Sequence, residues 1–477
     1  MGFAPLSPTY NLVFALKAQS ETFIQRRSGL SDLSAIQQSN SERYPFLLQS
    51  SAGGGEAANA RYDILFAFPG QRLRLNSDGG LEGRHAGQQH DFLAALDDWW
   101  RQELSCHESD DSTLPFQGGW FMYLGYELAG QIETRLRLPQ AAAGQPVAEA
   151  VRIPAAIIND RLKNETLLVN ESADAKRMNT LLADLDRASS ENIGSSADDS
   201  ESITMRADPE SRYLQHTQRV KRYIYEGDVF QVNLSRKWQA KTTPKLDATV
   251  LYRHLCQQNP APFSGLAHLQ GLTVISSSPE RLVRVCGRRV ETRPIAGTRP
   301  RHANSGHDQA LKSELIAHPK ERAEHIMLID LERNDLGRIC QPGSIEVDEL
   351  MAMESYAHVH HIVSNVCGQL REDVSPAQVI RAVFPGGTIT GCPKERCMAI
   401  IAELEQEARG AYTGSMGYLN LNGDMDLNIL IRTITLDEDY ITLRAGAGLV
   451  ADSDAQKELQ ETAHKARGML LAIEAQA

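Results

Sequence analysis

The sequence predicts an α+β protein in which large antiparallel β-sheets pack together with helices on the outside. Short apolar runs bounded by turn formers recur along the whole chain, as strands do. Helical stretches fall between them at irregular intervals, and strands outnumber what a simple βαβ alternation would need. With 42% hydrophobic and 23% charged residues, the 477-residue chain has the composition of a soluble globular protein with a substantial core.

Residues 1–187 read as one mixed unit. Arg43–Ser50 and Arg61–Phe68 are apolar runs with strand character, and Phe92–Glu103 has helical periodicity. Glycines sit among aromatics in Leu114-Pro-Phe-Gln-Gly-Gly-Trp-Phe-Met-Tyr-Leu-Gly-Tyr126, a pattern for close backbone packing. Residues 188–211 are poor in apolar side chains and rich in Ser, Asp, Asn and Glu, so this stretch is expected to be a polar linker.

From 212 to 477 a second region follows. A basic-faced helix at Tyr213–Tyr225 leads through a turn into a strand ending near Ser235. Strand patterns cover Thr273–Ser277, Arg281–Cys286 and Arg289–Thr292, with a hairpin break at Cys286-Gly287. Helices are expected over about 308–334 and 376–384. Strands are expected at Tyr412–Asn420, Leu427–Leu436 and Tyr440–Ala445, and a helix at Ser453–Ala475 opened by a Ser453/Gln456 capping box.

Several function classes are disfavoured. The net charge of −12 argues against a nucleic-acid partner. No apolar run approaches membrane-spanning length, and no signal peptide is evident, so no membrane association and a cytoplasmic location are expected. The seven scattered cysteines form no Cys-x-x-Cys pair, which speaks against a zinc site or a disulfide framework and for a reducing compartment. An anionic small molecule remains compatible, provided that cations gather locally.

Phe384-Pro-Gly-Gly-Thr-Ile-Thr-Gly-Cys-Pro-Lys394 is a glycine loop feeding a helical stretch, where free N–H groups suit an anion; a plain glycine turn accounts for it equally. Glu321 with Glu324, and Glu458 with Glu461, each sit three apart on helical segments, so each pair shares one face. Four converging carboxylates would require a hard cation such as Mg2+, which takes few carboxylates and completes its shell with water and substrate oxygens. Each pair is also compatible with a solvated helix face. Arg432, in an otherwise apolar strand pattern, needs an anionic partner, either ligand or salt bridge. Tyr412, Lys465 and the glycines of Ala445-Gly-Ala-Gly-Leu-Val450 are further anion-holding candidates. His361, in His358-Val-His-His-Ile-Val-Ser364, is a candidate proton-transfer group or a hydrogen-bonded core histidine.

Taken together, these runs resemble the chorismate-utilising enzyme family, strongly over about 213–470. The matching segments are Gly227-Asp-Val-Phe-Gln-Val-Asn-Leu-Ser235, Ser278-Pro-Glu-Arg281, Glu291-Thr-Arg-Pro-Ile-Ala-Gly-Thr298, Asp330-Leu-Glu-Arg-Asn-Asp335, the glycine loop, Ile431-Arg-Thr433 and Ala445-Gly-Ala-Gly448. The resemblance implies magnesium held by Glu324 and Glu461 with Glu321 and Glu458 in support. It implies chorismate bound by Thr298, Thr388, Tyr412, Arg432, Gly446, Gly448 and Lys465. It places Glu280 as general acid/base and His361 in the active site. Gln231 falls where water-adding relatives carry a Lys base, which implies ammonia as nucleophile.

No glutamine-hydrolysing Cys–His triad is identifiable, so a separate glutaminase subunit is implied. Within the family, Leu114-Pro-Phe-Gln-Gly118, Gln231-Val-Asn-Leu-Ser235, the histidine run and Met425–Arg432 are similar to members that make 4-amino-4-deoxychorismate. Leu47-Leu-Gln-Ser-Ser51 stands where anthranilate-forming members carry a Leu-Glu-Ser tryptophan-binding motif. Ala296 departs in the other direction. Some aminodeoxychorismate-forming members carry a nucleophilic Lys there, and alanine excludes covalent catalysis from this position.

Overall fold

The computed structural model describes residues 22–52, 60–87, 89–104, 114–190, 203–242, 246–302, 304–356 and 359–475. Two large sheets dominate it, and every strand pairing between named strands is antiparallel. The first sheet runs 23–28, 165–170, 155–160, 62–67, 46–49, 263–269, 272–278, 433–436, 440–449, 231–241 and 206–207, with 391–392 paired beside 231–241. The second runs 295–300, 359–369, 289–293, 281–286, 425–428, 415–420, 119–124, 146–153, 72–76 and 81–83, with 346–355 alongside 359–369.

Both sheets take strands from either side of the predicted linker. In the first, 46–49 pairs with 264–267; in the second, 119–124 pairs with 415–420. The apolar faces meet in a shared core. Phe46 and Phe121 stack at 3.9 Å, and Phe66 meets Phe121 and Phe116 edge-on. Burying each such ring contributes about 1.5–3 kcal/mol, so aromatics from the first 125 residues help lock the two sheets together.

The helix at Phe92–Glu103 forms as predicted, capped by Asp91. The basic-faced helix spans Glu210–Tyr225, and the preceding helix runs on to Ser190. Between them lies the polar stretch, of which 191–202 falls outside the described residues. The helix expected over 308–334 is two helices, Ser305–Ala317 and Pro319–Gly337. Pro319 has no N–H to continue the first, and it holds His318 extended.

Two further expectations need correcting. The last helix, Ala455–Glu474, is capped by Asp454, whose carboxylate accepts from the Gln456 and Lys457 amides; the Ser453 hydroxyl instead donates to Glu458 at 2.7 Å. The run Leu427–Leu436 is not one strand. Met425–Asn428 belongs to the second sheet and Thr433–Leu436 to the first, and residues 429–432 carry the chain between them. A parallel change of sheet occurs at Pro279-Glu280, between strands 272–278 and 281–286. The two crossings lie side by side: the Ile429 amide donates to the Glu280 carbonyl at 3.0 Å, and the Ser278 hydroxyl donates to the Ile429 carbonyl at 2.5 Å.

Candidate active site

The two crossings put Glu280 and Arg432 at the seam between the sheets. Glu280 is 5% exposed, and burial pushes its carboxyl up to about 7, against the opposing pull of Thr388, the Ile295 amide and Lys465. Its Oε1 and the Thr388 Oγ1 are buried without a satisfying hydrogen bond in the protein. Buried polar atoms are normally paired, so this corner is incomplete as it stands.

Thr388 is delivered by the glycine loop, which follows helix Pro376–Val383 and precedes helix Lys394–Glu405. The glycines of this loop serve close packing. A Cβ on Gly387 would stand 2.3 Å from Leu331 Cδ2, and one on Gly391 would stand 2.1 Å from the Gln231 carbonyl oxygen. Lys394 is taken up within the protein, donating to Asp335 at 2.5 Å and to the Val383 carbonyl at 3.2 Å.

One wall is the strand pair 231–241 and 440–449, in which Asn233 faces Gly448 and Ser235 faces Gly446. Residues alternate faces along a strand, so Gln231, Asn233, Gly446 and Gly448 share one side. The glycines belong to the strand, which spans Tyr440–Leu449 and so runs four residues past the expected end at Ala445. They leave room that side chains would fill: a Cβ on Gly448 would lie 2.2 Å from Gln231 Nε2, and one on Gly446 would lie 2.6 Å from the Tyr412 hydroxyl. Gln231 Oε1 and Asn233 Oδ1 are both buried without a partner. Burial, the leading cause, pushes the Tyr412 hydroxyl up to about 12, so it stays protonated and can donate.

Arg432 stands at φ +52°, a left-handed conformation uncommon outside glycine, and its guanidinium donates to Asn259 Oδ1 at 3.2 Å. Burial depresses its pKa, while Tyr412 and Glu461 oppose that shift. His361 is 4% exposed and held down to about 4, first by burial and then by Arg432; the Gly297 carbonyl accepts from its ring. It is therefore a neutral imidazole near pH 7. Thr298 pairs with His361 in the strand register, though its side chain is outside the described set. Lys465 donates to the Gly446 carbonyl at 3.1 Å and acts electrostatically on both Glu280 and His361.

The carboxylates flank this group. Glu321 accepts from Arg299 at 3.4 Å, and its Oε2 would be 2.9 Å from a Cβ on Gly297, the residue whose carbonyl holds His361. Glu324 lies half-buried one turn further along the same helix. Glu461 pairs with Lys465 at 2.7 Å and is about half exposed, and Glu458 is held by Ser453. Among the described residues no three His, Cys, Asp or Glu side chains form a metal-ligating group. The donor set still fits magnesium, which needs only one or two protein carboxylates beside water and substrate oxygens. Arg299 and Lys465 supply the positive charge that Glu321 and Glu461 require in the structure.

The structure thus gathers Glu280, Thr388, Gln231, Tyr412, Arg432, His361, Lys465, Gly446 and Gly448 about one seam. Sequence reasoning missed Asn233, Asn259 and Gly297. The alternation Gln231–Asn233 on one strand was the available signal for the first; the others are set by tertiary packing and left no local trace.

With these features in place, comparison with known proteins is direct. Residues 45–471 match the chorismate binding enzyme family, and the chain belongs to it. The chain is 45% identical over 368 residues to an anthranilate synthase component I-like protein of Synechocystis sp., covering 76% of this chain and 74% of that protein. It is 36% identical over 470 residues to aminodeoxychorismate synthase component 1 of Bacillus subtilis, covering 96% and 95%. The crystal structure of anthranilate synthase component I from Streptococcus pneumoniae superposes with a TM-score of 0.75 at 32% identity, over 87% of this chain and 93% of that one. The chain is thus a chorismate-utilising enzyme with the antiparallel two-sheet fold expected. Its six described cysteines are free thiols, and among the described residues no helix is long and apolar enough to cross a membrane.

Proposed function

We propose that this chain is the synthase component of an aminodeoxychorismate synthase, which replaces the ring hydroxyl of chorismate with an amino group using ammonia from a separate glutaminase subunit in the cytoplasm. The observation that carries the proposal is Glu280: a buried carboxyl poised near 7, with an oxygen that lacks a well-formed hydrogen bond, near Lys465 and the Thr388 hydroxyl. Such a group is protonated in about half of the molecules at neutral pH and can give its proton to a poor leaving group.

In the step proposed, the ring C–O bond breaks and hydroxide departs with the Glu280 proton as water. Ammonia forms the C–N bond and becomes the ring ammonium, which returns a proton through solvent to the Glu280 carboxylate. Arg432, Lys465 and Tyr412 hold the substrate carboxylates, and Thr388 and Thr298 orient the ring. His361, neutral and with its N–H on the Gly297 carbonyl, presents its other ring nitrogen as an acceptor without adding charge. When bound between Glu324 and Glu461, with Glu321 and Glu458 in support, magnesium supplies Lewis-acid stabilisation of developing negative charge. Ala296 is buried at 7% exposure and has no nucleophile, so no covalent step is assigned there.

Gln49 supports the choice: it is a neutral side chain accepting from the Tyr252 hydroxyl at 3.1 Å, where a carboxylate would be needed to pair an amino-acid ammonium. The component numbering in the relatives' names supports a glutaminase partner. Anthranilate formation is the second possibility, and Ala296 favours it.

Incubating the protein with chorismate, magnesium and ammonium, with and without the lyase that converts aminodeoxychorismate to p-aminobenzoate, separates them. p-Aminobenzoate appearing only with the lyase is expected. Anthranilate would transfer the assignment to the second possibility, and salicylate or isochorismate would remove ammonia from the mechanism.

A further inference from the structure

We infer that the chain carries a site for a small monovalent anion, of the size of chloride, at the outer edge of strand 231–241, with Arg236, Arg444 and Tyr213 as its donors.

That edge is interrupted. Strand 391–392 pairs with Gln231 and Val232, and strand 206–207 pairs with Trp238 and Gln239. Between them side chains replace a neighbouring strand. Glu405 accepts from the Ser235 amide at 2.9 Å, and Asp208 accepts from the Lys237 amide at 2.9 Å. These carboxylates, with Tyr213, Arg236 and Arg444, line a cavity of about 10 Å³. It has room for one small occupant.

Three of the lining residues carry a buried donor without a partner among the described residues: Arg236 Nε, Arg444 Nη1 and the Tyr213 hydroxyl. Their side chains belong to residues only 4%, 5% and 3% exposed. Buried polar atoms are normally paired, and a buried guanidinium calls for an anionic acceptor. Arg236 spends its other N–H groups on neutral oxygens, the Asp208 carbonyl at 3.1 Å and the Thr462 hydroxyl at 3.5 Å. Burial depresses its pKa against the pull of Glu210 and Asp208. Arg444 Nη1 stands 3.7 Å from Glu407 Oε2, beyond hydrogen-bond length. Burial, the leading cause, keeps the Tyr213 hydroxyl protonated, so it too can donate.

The chemistry selects an anion. Glu405 is already taken up by Arg409, Arg444 and Ser235, and Glu407 by Lys237 at 2.6 Å and Arg212 at 3.6 Å. The cations Arg212, Arg236, Lys237, Arg409 and Arg444 outnumber the carboxylates Asp208, Glu210, Glu405 and Glu407, within a protein of net charge −12. Water accepts at two positions and brings no charge. A halide accepts from every side and supplies the missing negative charge. Its binding would brace the wall of the candidate active site, because Arg444 lies two residues before Gly446 and Arg409 donates to the Asn233 carbonyl at 2.8 Å.

Two measurements on the full-length chain test this, and neither needs turnover. In crystals soaked in bromide, an anomalous peak is expected within hydrogen-bonding reach of Arg236 Nε and Arg444 Nη1. In thermal melts at constant ionic strength, replacing gluconate by chloride should raise Tm by about 1–3 °C. Arg236→Met keeps an apolar stem over Trp238 while removing the charge, and its Tm should not respond to the exchange. If Arg236→Met does not fold, Tyr213→Phe takes its place, with the chloride concentration for half the shift raised roughly tenfold. An ordered water and no bromide at the position overturns the inference. So does a Tm that follows ionic strength whatever the anion, or a variant whose response to chloride matches that of the wild type.

Discussion

Gly448→Ala separates the fold from the chemistry most cleanly. The new methyl would stand 2.2 Å from Gln231 Nε2, against an ordinary contact of 3.4–4 Å, so the amide must withdraw by about 1.2 Å. The obstructing atom is the far end of a flexible side chain, and re-setting such a rotamer costs about 0.5–1.5 kcal/mol. Folding should barely register the change. Activity should, because a misplacement of about 1 Å in a reacting constellation costs on the order of 100-fold, or about 2.7 kcal/mol of barrier. The assay is kcat/KM for chorismate with ammonium, read beside a thermal melt. Gly446→Ala is the control with the opposite balance: its methyl meets the Leu234 carbonyl at 2.7 Å, and a backbone atom in a paired strand cannot withdraw. That variant should lose about 1–3 kcal/mol of stability as well. A Gly448→Ala protein within threefold of wild type would show that Gln231 is not part of the reacting geometry.

Other substitutions probe separate parts. Glu280→Gln, assayed at constant free ammonia, should lose about 100- to 10,000-fold in kcat/KM. Wild-type activity should fall as pH rises through about 7, where the acid gives up its proton, and the variant should lack that limb. Glu405 accepts from Arg409, Arg444 and Ser235 and is held down to about 2 despite its burial. Glu405→Gln should therefore cost about 3–5 kcal/mol, measured by denaturant unfolding. Because that carboxyl is depressed, its contribution is full above about pH 4.5 and fades as pH falls toward 2. Chelation should abolish turnover, and Glu461→Gln should raise the magnesium concentration needed for half-maximal rate; an unaltered magnesium curve would remove Glu461 from the metal site. Arg432→Ala should depress kcat/KM far more than thermal stability, since its guanidinium is held by a long hydrogen bond, 3.2 Å to Asn259.

Strand and helix composition made the antiparallel architecture readable, and residues with strong local signals fell where expected: the 92–103 helix, the 281–293 hairpin and the start of the strand at Gln231, which runs on past Ser235 to Lys241. What local pattern could not express was change of sheet. Leu427–Leu436 looks like one apolar run because both halves are buried, yet it serves two sheets, and only the left-handed turn at Arg432 marks the break. The Asp454 cap was hidden by a neighbouring Ser453 that satisfied the same rule. The glycine loop shows the limit of motif logic: its glycines were legible, but their purpose, contact with Leu331 and the Gln231 backbone, depends on partners distant in sequence. The carboxylate pairs were visible by spacing, whereas their present ion pairs with Arg299 and Lys465 were not.

The paired crossings at 279–280 and 429–432 have a mechanical consequence. The candidate site residues are rooted in both layers, Gly446 and Gly448 in one and His361 in the other, with Glu280 and Arg432 on the bridges. A bound ligand would act as a rivet through two plates that otherwise adhere through a shared apolar core, in which Phe46 and Phe121 stack. Slippage between the plates would loosen the grip, so damage to that distant aromatic contact should surface as weaker ligand affinity before it surfaces as unfolding.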